Sequence, residues 1–324
     1  MLNAAGPFLH TATPLAEACL GAGVHYLDIG NELQVFRTLY DLHQRAQAAG
    51  VAIIPGTGFG VVATNCLARY VSDAAGAQHL EVATRAATAQ PGPGGAASMR
   101  ENLPYGGWIR QAGHLRPHPL GSGATTITFP DGPCRIRPVP TGDLEAAFQA
   151  TGAADIIAYS AELDPAANPR VSDTGAAGSQ TYRSFGWARV TGPDGATTQA
   201  WLQTGEAYAF TAAASIRAVE ETLTRSLRGA FSPAAAFGAD FALTIPDTTR
   251  IDTITAETAA GRRSDQEADM PDRQFLARTR YRAPAQIPSQ LSASIQHQLA
   301  GTTGRPRPGW RSRWITPPGH VSEC

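Results

Sequence analysis

Residues 23–60, GVHYLDIGNELQVFRTLYDLHQRAQAAGVAIIPGTGFG, decide the fold class. The apolar run at 23–28 predicts a buried parallel strand, and residues 51–54 predict the next one. Between them, residues 32–49 repeat apolar side chains at helical spacing, which predicts a helix. A glycine-rich loop and another apolar helix follow. This alternation of strands and helices is typical of a doubly wound parallel sheet.

Thr13 and Pro14 have the residue types of a helix N-cap and first position, and predict a helix that runs to Gly21. A second long helix is predicted over 211–228, with Gly229 at its end. We expect its large aliphatic side chains to share one face: Ile216, Val219, Leu223 and Leu227. Proline and glycine at 90–97 predict a flexible loop.

After about residue 76 the pattern changes to short strands, with a turn signal at 192–195 that predicts a hairpin. The fold class expected is therefore α/β: a partial Rossmann-type parallel sheet, an inserted α+β domain that is mostly antiparallel, and a disordered C-terminal tail. The expected segments are the parallel-sheet part (1–75), the α+β domain (76–204), a returning helix and closing segment (205–252) and an Arg- and Pro-rich tail (253–324).

The composition restricts the classes of function. With 43% hydrophobic and 16% charged residues in 324, the chain can bury a core and is not wholly disordered. A net charge of -1 offers no bulk attraction to nucleic acid or anionic membrane. All 26 basic residues are arginine, which excludes Schiff-base, phosphate-loop and general-base lysines. This bias, with abundant Ala, Gly and Pro, indicates a bacterium with a GC-rich genome.

The cysteines are far apart and form no metal-binding cluster: Cys19, Cys66, Cys134 and Cys324. A reduced, cytoplasmic protein is the simplest interpretation. The first eight residues have no signal-peptide character, and no apolar run is long enough to cross a membrane.

Three motifs occur in a fixed order: NAAGPF at 3–8; AC at 18–19 followed by GVHYLD at 23–28 and NE at 31–32; and GTGF at 56–59 after a strand. Together they resemble the saccharopine dehydrogenase-like oxidoreductase family over residues 1–252. Further similarities to the family's substrate domain are Ser98 near Glu101, Gly142-Asp143 and the segment Tyr208–Thr211.

The resemblance implies a Rossmann-type domain that binds NAD or NADP, interrupted by a substrate domain. It implies hydride transfer on a small amino-acid-like or lipid-like substrate, with the cofactor supplying the chemistry. Cofactor-facing residues implied by the motifs are Ala5, Gly6, Pro7, Phe8, Asp28, Gly58 and Phe59. No catalytic acid or base stands out, and no metal is expected.

Each of these residues also has a purely structural interpretation. Gly6-Pro7 can be an ordinary turn, and Asp28 can cap the turn after its strand. His25 can be a core histidine, Glu32 a first-turn acid favoured by the helix dipole. Ser98 and Glu101 can be surface polar residues.

The sequence departs from the family at the nucleotide motif. Gly60 stands where the family has an aspartate, residues 63–65 are Ala-Thr-Asn, and no GxGxxG follows a strand. We expect either a chain truncated at its N-terminus, which we favour, or a descendant that has lost cofactor binding. Weak or absent NAD(P) binding is expected in both cases. The rival function is a non-catalytic interaction protein or gene remnant, and the exposed sheet edge allows a homodimer.

Overall fold

The computed structural model describes residues 1–87, 93–102, 105–120, 122–162 and 183–253. The predicted tail after residue 253 lies outside the described residues. The described helices are α1 (Phe8–Ala22), α2 (Leu33–Asp41), α3 (His43–Ala49), α4 (Phe59–Ala75), α5 (Pro93–Asn102), α6 (Asp143–Thr151), α7 (Ala207–Thr224) and α8 (Pro233–Phe237).

The strands fall into two sheets. The described strands are β1 (Leu2–Asn3), β2 (Tyr26–Asp28), β3 (Ala52–Ile54), β4 (His79–Arg85), β5 (Gly107–Gln111), β6 (His114–His118), β7 (Thr125–Phe129), β8 (Gly132–Pro138), β9 (Asp155–Ala161), β10 (Ser184–Thr191), β11 (Thr197–Thr204), β12 (Gly229–Ala230) and β13 (Thr249–Ile251).

The first sheet has the order β1-β2-β3-β12, and every neighbouring pair is parallel. Its strands are fully or nearly buried, as a parallel sheet covered by helices requires. Strand β12 follows the second sheet in sequence but pairs with β3. The second sheet is therefore inserted into the chain of the first, as expected.

The second sheet has the order β13-β11-β10-β4-β9-β5-β6, and the β7–β8 hairpin joins it through β9. All its pairs are antiparallel except β4 with β9. The turn at 192–195 joins β10 and β11, as predicted. The predicted fold class, a parallel sheet with a mostly antiparallel α+β insertion, is confirmed.

Helix α4 packs between the two sheets, with 11 of its 17 residues buried. It approaches β10 so closely that a Cβ on Gly186 would lie 3.0 Å from the Cβ of Ala63. Small residues at both positions allow this contact. One core thus joins the parallel sheet, α4 and the inserted sheet.

The predicted start of the first helix is wrong. Helix α1 begins at Phe8, after Pro7 as its N-cap, and Pro14 lies inside it. Pro14 is exposed, so the carbonyl that it leaves without a donor can be hydrated. The predicted helix over 32–49 is two helices, because Leu42 leaves helical geometry and separates α2 from α3.

The predicted face of the second long helix is also wrong. Helix α7 begins at Ala207 and ends at Thr224, with Arg225 as its C-cap, and Gly229 instead starts β12. Its buried face consists mainly of small residues: Ala207, Phe210, Ala214, Ser215, Ala218 and Thr222. Ile216 and Leu223 are 56% and 71% exposed. The small side chains of this face, such as Ala214 and Ala218, allow the helix to pack closely against its neighbours.

The loop predicted at 90–97 is a helix from residue 93 onward, and α5 continues to Asn102. Residues 88–92 lie outside the described part of the chain.

Candidate functional site

The carboxyl ends of the four parallel strands meet at one edge of the first sheet. The segment Ala5–Phe8 follows β1, Asp28 ends β2, and Gly58-Phe59 follows β3. All seven predicted cofactor-facing residues therefore lie at the same edge. In open α/β sheets this edge is where ligands bind.

Asp28 fixes two of the loops at this edge. Its side chain is fully buried, and its Oδ1 accepts hydrogen bonds from the backbone N–H of Gly30 at 2.9 Å and of Gly56 at 3.0 Å. Its Oδ2 accepts one from the Tyr26 hydroxyl at 3.0 Å. The Asp28 carbonyl accepts from the N–H and the hydroxyl of Thr57, at 2.7 and 2.8 Å. Asp28 therefore holds the loops after β2 and β3 together.

The same network reaches the loop after β1. Asn3 donates from Nδ2 to the Tyr26 hydroxyl at 3.1 Å and to the Thr11 hydroxyl at 3.2 Å. Its Oδ1 accepts from the Ala5 N–H at 3.0 Å, and Thr11 donates to the Ala5 carbonyl at 2.7 Å. One hydrogen-bonded network thus joins the loops after β1, β2 and β3.

Burial raises the pKa of the Asp28 carboxyl to about 6, and the donors from Gly56, Gly30 and Tyr26 offset part of that rise. Burial and the nearby carboxylate also raise the pKa of Tyr26. The Asp28 carboxyl is therefore expected to ionise at a pH that ordinary buffers cover.

Two helices that begin at this edge have an N-terminal donor already bonded to a side chain. In α1, the Phe8 N–H donates to Glu32 Oε1 at 3.4 Å. In α4, the Phe59 N–H donates to the Thr211 hydroxyl at 3.0 Å, and a Cβ on Gly58 would lie 2.9 Å from the Thr211 methyl group. A pyrophosphate binds to free N–H groups of this kind. At Phe8 and Phe59 those groups are occupied.

Glu32 is not a first-turn acid of its own helix. It is instead the N-cap residue of α2, and its side chain makes no capping bond there. Its carboxylate accepts the hydrogen bond from the Phe8 N–H at the start of α1. It also accepts one from the N–H of Asn31, at 2.9 Å.

The residues at which the sequence differs from the family motif contact other parts of the fold. A Cβ on Gly60 would lie 2.9 Å from Nδ2 of Asn31, so Asn31 occupies the space beside this glycine. Asn31 also accepts from the Gly142 N–H, through Oδ1 at 3.1 Å and its carbonyl at 2.9 Å. Asn65 accepts from the Ala234 N–H at 2.8 Å, at the start of α8.

Asp143 forms a second buried group with Thr64 and Thr141. Its carboxylate accepts from the Thr64 hydroxyl and, at 2.6 Å, from the Thr141 hydroxyl. Burial raises the pKa of this carboxyl, and the two hydroxyls oppose that rise. The Gly142-Asp143 pair therefore joins α6 to the loop after β2 and to α4.

A cavity of about 320 Å³ opens at the carboxyl edge. Its lining comes from the loops after β1 and β2 and from one face of α7: Ala4, Ile29, Tyr208, Thr211, Ala212, Ser215 and Ile216. The described residues that line it include no charged side chain. Such a cavity suits an uncharged ring or an apolar group.

Three other candidate residues lie in two different places. His25 precedes β2 at the opposite edge, where its Nδ1 accepts from the Ala52 N–H at 2.9 Å. Burial and the nearby N-terminal amine lower its pKa. Ser98 and Glu101 of α5 lie near the start of α1 instead: a Cβ on Gly6 would be 3.3 Å from Ser98 Oγ, and Glu101 pairs with His10 at 2.7 Å.

Sequence reasoning did not single out His10, Arg100 or Tyr105, which line a second cavity with Leu9 and Glu101. His10 lies two residues after the NAAGPF motif, the one signal that could have drawn attention to it. Its partners are about ninety residues away in sequence.

Within the described ranges, no three His, Cys, Asp or Glu residues are grouped so that they could hold a metal ion. Among the helices that the structure describes, none combines the length and the apolar character that a bilayer span requires.

No family model and no curated protein matches the sequence. Among solved structures, apo saccharopine dehydrogenase (L-Glu forming) from Saccharomyces cerevisiae is similar, with a TM-score of 0.45 and 10% identity over 71% of this chain and 78% of that one. Amine dehydrogenase from Mycobacterium smegmatis has a TM-score of 0.38 and 14% identity, over 77% and 75%. GenD2 from gentamicin A biosynthesis, in complex with NAD, has a TM-score of 0.26 and 17% identity, over 58% and 51%. Overlaps this low establish neither a family nor an activity for this chain.

Proposed function

We propose that this chain is a saccharopine dehydrogenase-like oxidoreductase whose carboxyl edge receives the nicotinamide end of NAD(P) beside a small amino-acid-like or lipid-like substrate. The proposal rests on one observation: residues 5–8, 28 and 58–59 lie together at the carboxyl edge of a parallel sheet, next to an uncharged cavity. When bound, the nicotinamide would supply hydride transfer.

The nicotinamide half of the cofactor fits the residues of this chain better than the pyrophosphate does. Ala4, Ile29 and Ala212 offer apolar contacts that suit a nicotinamide ring. The pyrophosphate is not matched, because the N–H groups of Phe8 and Phe59 are occupied and the sequence has no GxGxxG after a strand. We therefore propose that the dinucleotide is held weakly.

Titration of the purified chain with NADH and with NADPH, followed by nucleotide fluorescence, should show no saturation in the micromolar range. The physical reason is that the pyrophosphate supplies much of the affinity for a dinucleotide through free N–H donors at a helix N-terminus. Saturable micromolar binding of either nucleotide would show that the proposed weak binding of NAD(P) is wrong.

A second candidate is a non-catalytic interaction protein, and the exposed face of α7 favours it. Ala212, Ile216, Val219 and Leu223 recur at the four-three-four spacing of a helix-pairing seam. If α7 of two copies packed antiparallel, Leu223 would face Ala212 and Ile216 would face Val219. Large side chains would then meet smaller ones, so a second copy of this chain is the partner that the face fits.

We expect a homodimer in light scattering after size exclusion, and a monomer when Ile216→Glu and Leu223→Glu are combined. Burying two carboxylates in an apolar seam is strongly unfavourable. Val24→Glu is the control, since Val24 is 42% exposed and precedes β2, outside the α7 face. Weak dimers dissociate with constants of roughly tens of micromolar. If the unmodified chain is monomeric at such a concentration, the interaction-protein candidate is wrong.

A further inference from the structure

Two residues that line the apolar cavity, Ala4 and Ile29, each lie inside a turn of the same kind. Ala4 follows Asn3, whose Oδ1 accepts at 3.0 Å from the backbone N–H two residues further on. Ile29 follows Asp28, whose Oδ1 accepts at 2.9 Å from the N–H in the equivalent position. In such Asx turns the side chain that accepts the bond fixes the backbone between the two residues. Asn3 and Asp28 therefore set the positions of two walls of the cavity.

The hydroxyl of Tyr26 joins these two turns. It accepts from Asn3 Nδ2 at 3.1 Å and donates to Asp28 Oδ2 at 3.0 Å. All three side chains are buried, where a low effective dielectric strengthens hydrogen bonds and chained bonds polarise one another. Asn3, Tyr26 and Asp28 therefore form a relay in which donation runs in one direction and ends on a carboxylate oxygen.

The relay fits an ionised Asp28. Its Oδ1 already accepts from two backbone N–H groups, so a proton added to this carboxyl would be on Oδ2. Oδ2 would then donate to the Tyr26 hydroxyl, which also accepts from Asn3. The Tyr26 proton would lose the acceptor that it has in this structure, and a buried donor without an acceptor is unfavourable. Protonation of Asp28 therefore weakens the hold on Asn3 and, through its turn, on Ala4.

The titratable side chains around the relay and the cavity come from three helices: Cys19 of α1, Glu32 and Tyr40 at the start and within α2, and Tyr208 of α7. The strands on either side of β2, which are β1 and β3, consist of residues that do not titrate. Burial raises the pKa of the Asp28 carboxyl to about 6, so Asp28 changes charge between pH 5 and pH 8. Glu32 is the neighbouring carboxyl whose ionisation a test has to separate from that of Asp28.

We propose that Tyr26 is a positioning residue for the apolar cavity, and that its hydroxyl transmits the charge state of Asp28, beside one wall, to Ala4 on the other. With Asp28 ionised, both turns are held and the cavity is ordered for a ligand. With Asp28 protonated, the wall at Ala4 is held less firmly. That the cavity receives a ligand rests on the proposed function, but the coupling between its two walls does not.

Methyl NMR of the full chain without ligand, from pH 5 to pH 8, tests the coupling. The methyl groups of Ala4 and Ile29 should both shift with pH and share one midpoint. In Tyr26→Phe, Ile29 should still shift because its turn contains Asp28, whereas the shift of Ala4 should be largely lost. The Thr11 hydroxyl, 3.2 Å from the Nδ2 atom that Tyr26 would leave, keeps the loop after β1 in place in this variant. Equal shifts of Ala4 in the unmodified chain and in Tyr26→Phe would overturn the proposal.

Two further substitutions assign the titration to one carboxyl. Asp28→Asn cannot ionise, so neither methyl group should shift with pH in this variant. Glu32→Gln is the matched control, because Glu32 is equally buried but is bonded to the N–H groups of Phe8 and Asn31 rather than to the relay. Both methyl groups should shift in Glu32→Gln as they do in the unmodified chain. Shifts that persist in Asp28→Asn, or that are lost in Glu32→Gln, would assign the titration to another group and contradict the proposal.

Benzamide, an uncharged ring that does not titrate in this range, measures the consequence for binding. In ligand-observed NMR titrations it should bind about threefold more tightly at pH 8 than at pH 5, since one buried hydrogen bond contributes about that factor or more. Asp28→Asn should bind benzamide equally at both pH values. An affinity of the unmodified chain that does not change with pH would contradict the proposal. No binding at either pH would count against the nicotinamide site of the proposed function, and the methyl shifts alone would then decide the coupling.

Discussion

Replacing Asp28 with alanine should lower the free energy of unfolding by about 3–5 kcal/mol, because three buried donors would lose their acceptor and each costs about 1–3 kcal/mol. These donors are the N–H groups of Gly30 and Gly56 and the hydroxyl of Tyr26. Urea denaturation at neutral pH, followed by tryptophan fluorescence, measures the change.

Asp73→Ala is the control for removing a carboxylate. Asp73 is 56% exposed and pairs with Arg69 on the surface of α4, so its loss should cost less than about 1 kcal/mol. If Asp28→Ala cost no more than Asp73→Ala, the buried network would not hold the three loops.

The same carboxyl gives a pH dependence with a defined sign. Its pKa in the folded protein is about 6, above the ordinary value of 3.8, so its contribution to stability is full below 3.8 and is lost as pH rises through 6. About 1 kcal/mol of that loss should fall between pH 5 and pH 8. Asp28→Asn cannot ionise and should lack this component, so the difference between the two proteins over this range isolates it. Parallel pH profiles would show that Asp28 does not titrate there.

Gly56→Ala should cost about 2–5 kcal/mol, combining about 1–2 kcal/mol for a left-handed backbone with about 1–3 kcal/mol for overpacking. Gly56 has a φ of 73°, and an added Cβ would lie 2.5 Å from Cζ of Phe36 and 2.9 Å from a methyl group of Val61. Phe36 is fully buried and has little room to move.

Two other glycines separate the two causes. Gly50 has a φ of 70° and nothing within 4 Å of an added Cβ, so Gly50→Ala should show the backbone cost alone. Gly142 has ordinary helical geometry, but an added Cβ would overlap the Phe36 ring, so Gly142→Ala should show the packing cost alone. Phe36→Leu should recover part of the loss in Gly142→Ala. If Gly50→Ala and Gly56→Ala lowered the free energy of unfolding equally, the expected overlap of the added Cβ with Phe36 would be wrong.

The two central strands of the parallel sheet, β2 and β3, were predictable because each belongs to a short apolar run next to a helix with a clear period. The gathering of residues 5–8, 28 and 58–59 followed from that prediction, since loops after parallel strands share one edge. The partners of Asp28 were not predictable. Gly56 is 28 residues away in sequence, and nothing local indicates that its N–H points at this carboxylate.

The errors have physical causes. On α7 the large aliphatic side chains were predicted to form the apolar face, but Ile216 and Leu223 are exposed and small residues such as Ala214 and Ala218 are buried. Proline and glycine at 90–97 predicted a loop, although α5 begins at Pro93, where proline is tolerated in a first turn. The cluster around Arg100 was missed because its residues on α1 and α5 are far apart in sequence.

We propose that ligands bind at the carboxyl edge of the first sheet. Saturation-transfer NMR with millimolar nicotinamide mononucleotide tests it on the unmodified chain and on two variants of α7, Ala212→Trp and Ala209→Trp. Ala212 lines the apolar cavity, whereas Ala209 is exposed on the same helix and does not line it. We predict transfer to the nicotinamide protons with the unmodified chain and with Ala209→Trp, and its loss in Ala212→Trp. Transfer that persists in Ala212→Trp, or that is absent from the unmodified chain, would contradict the claim.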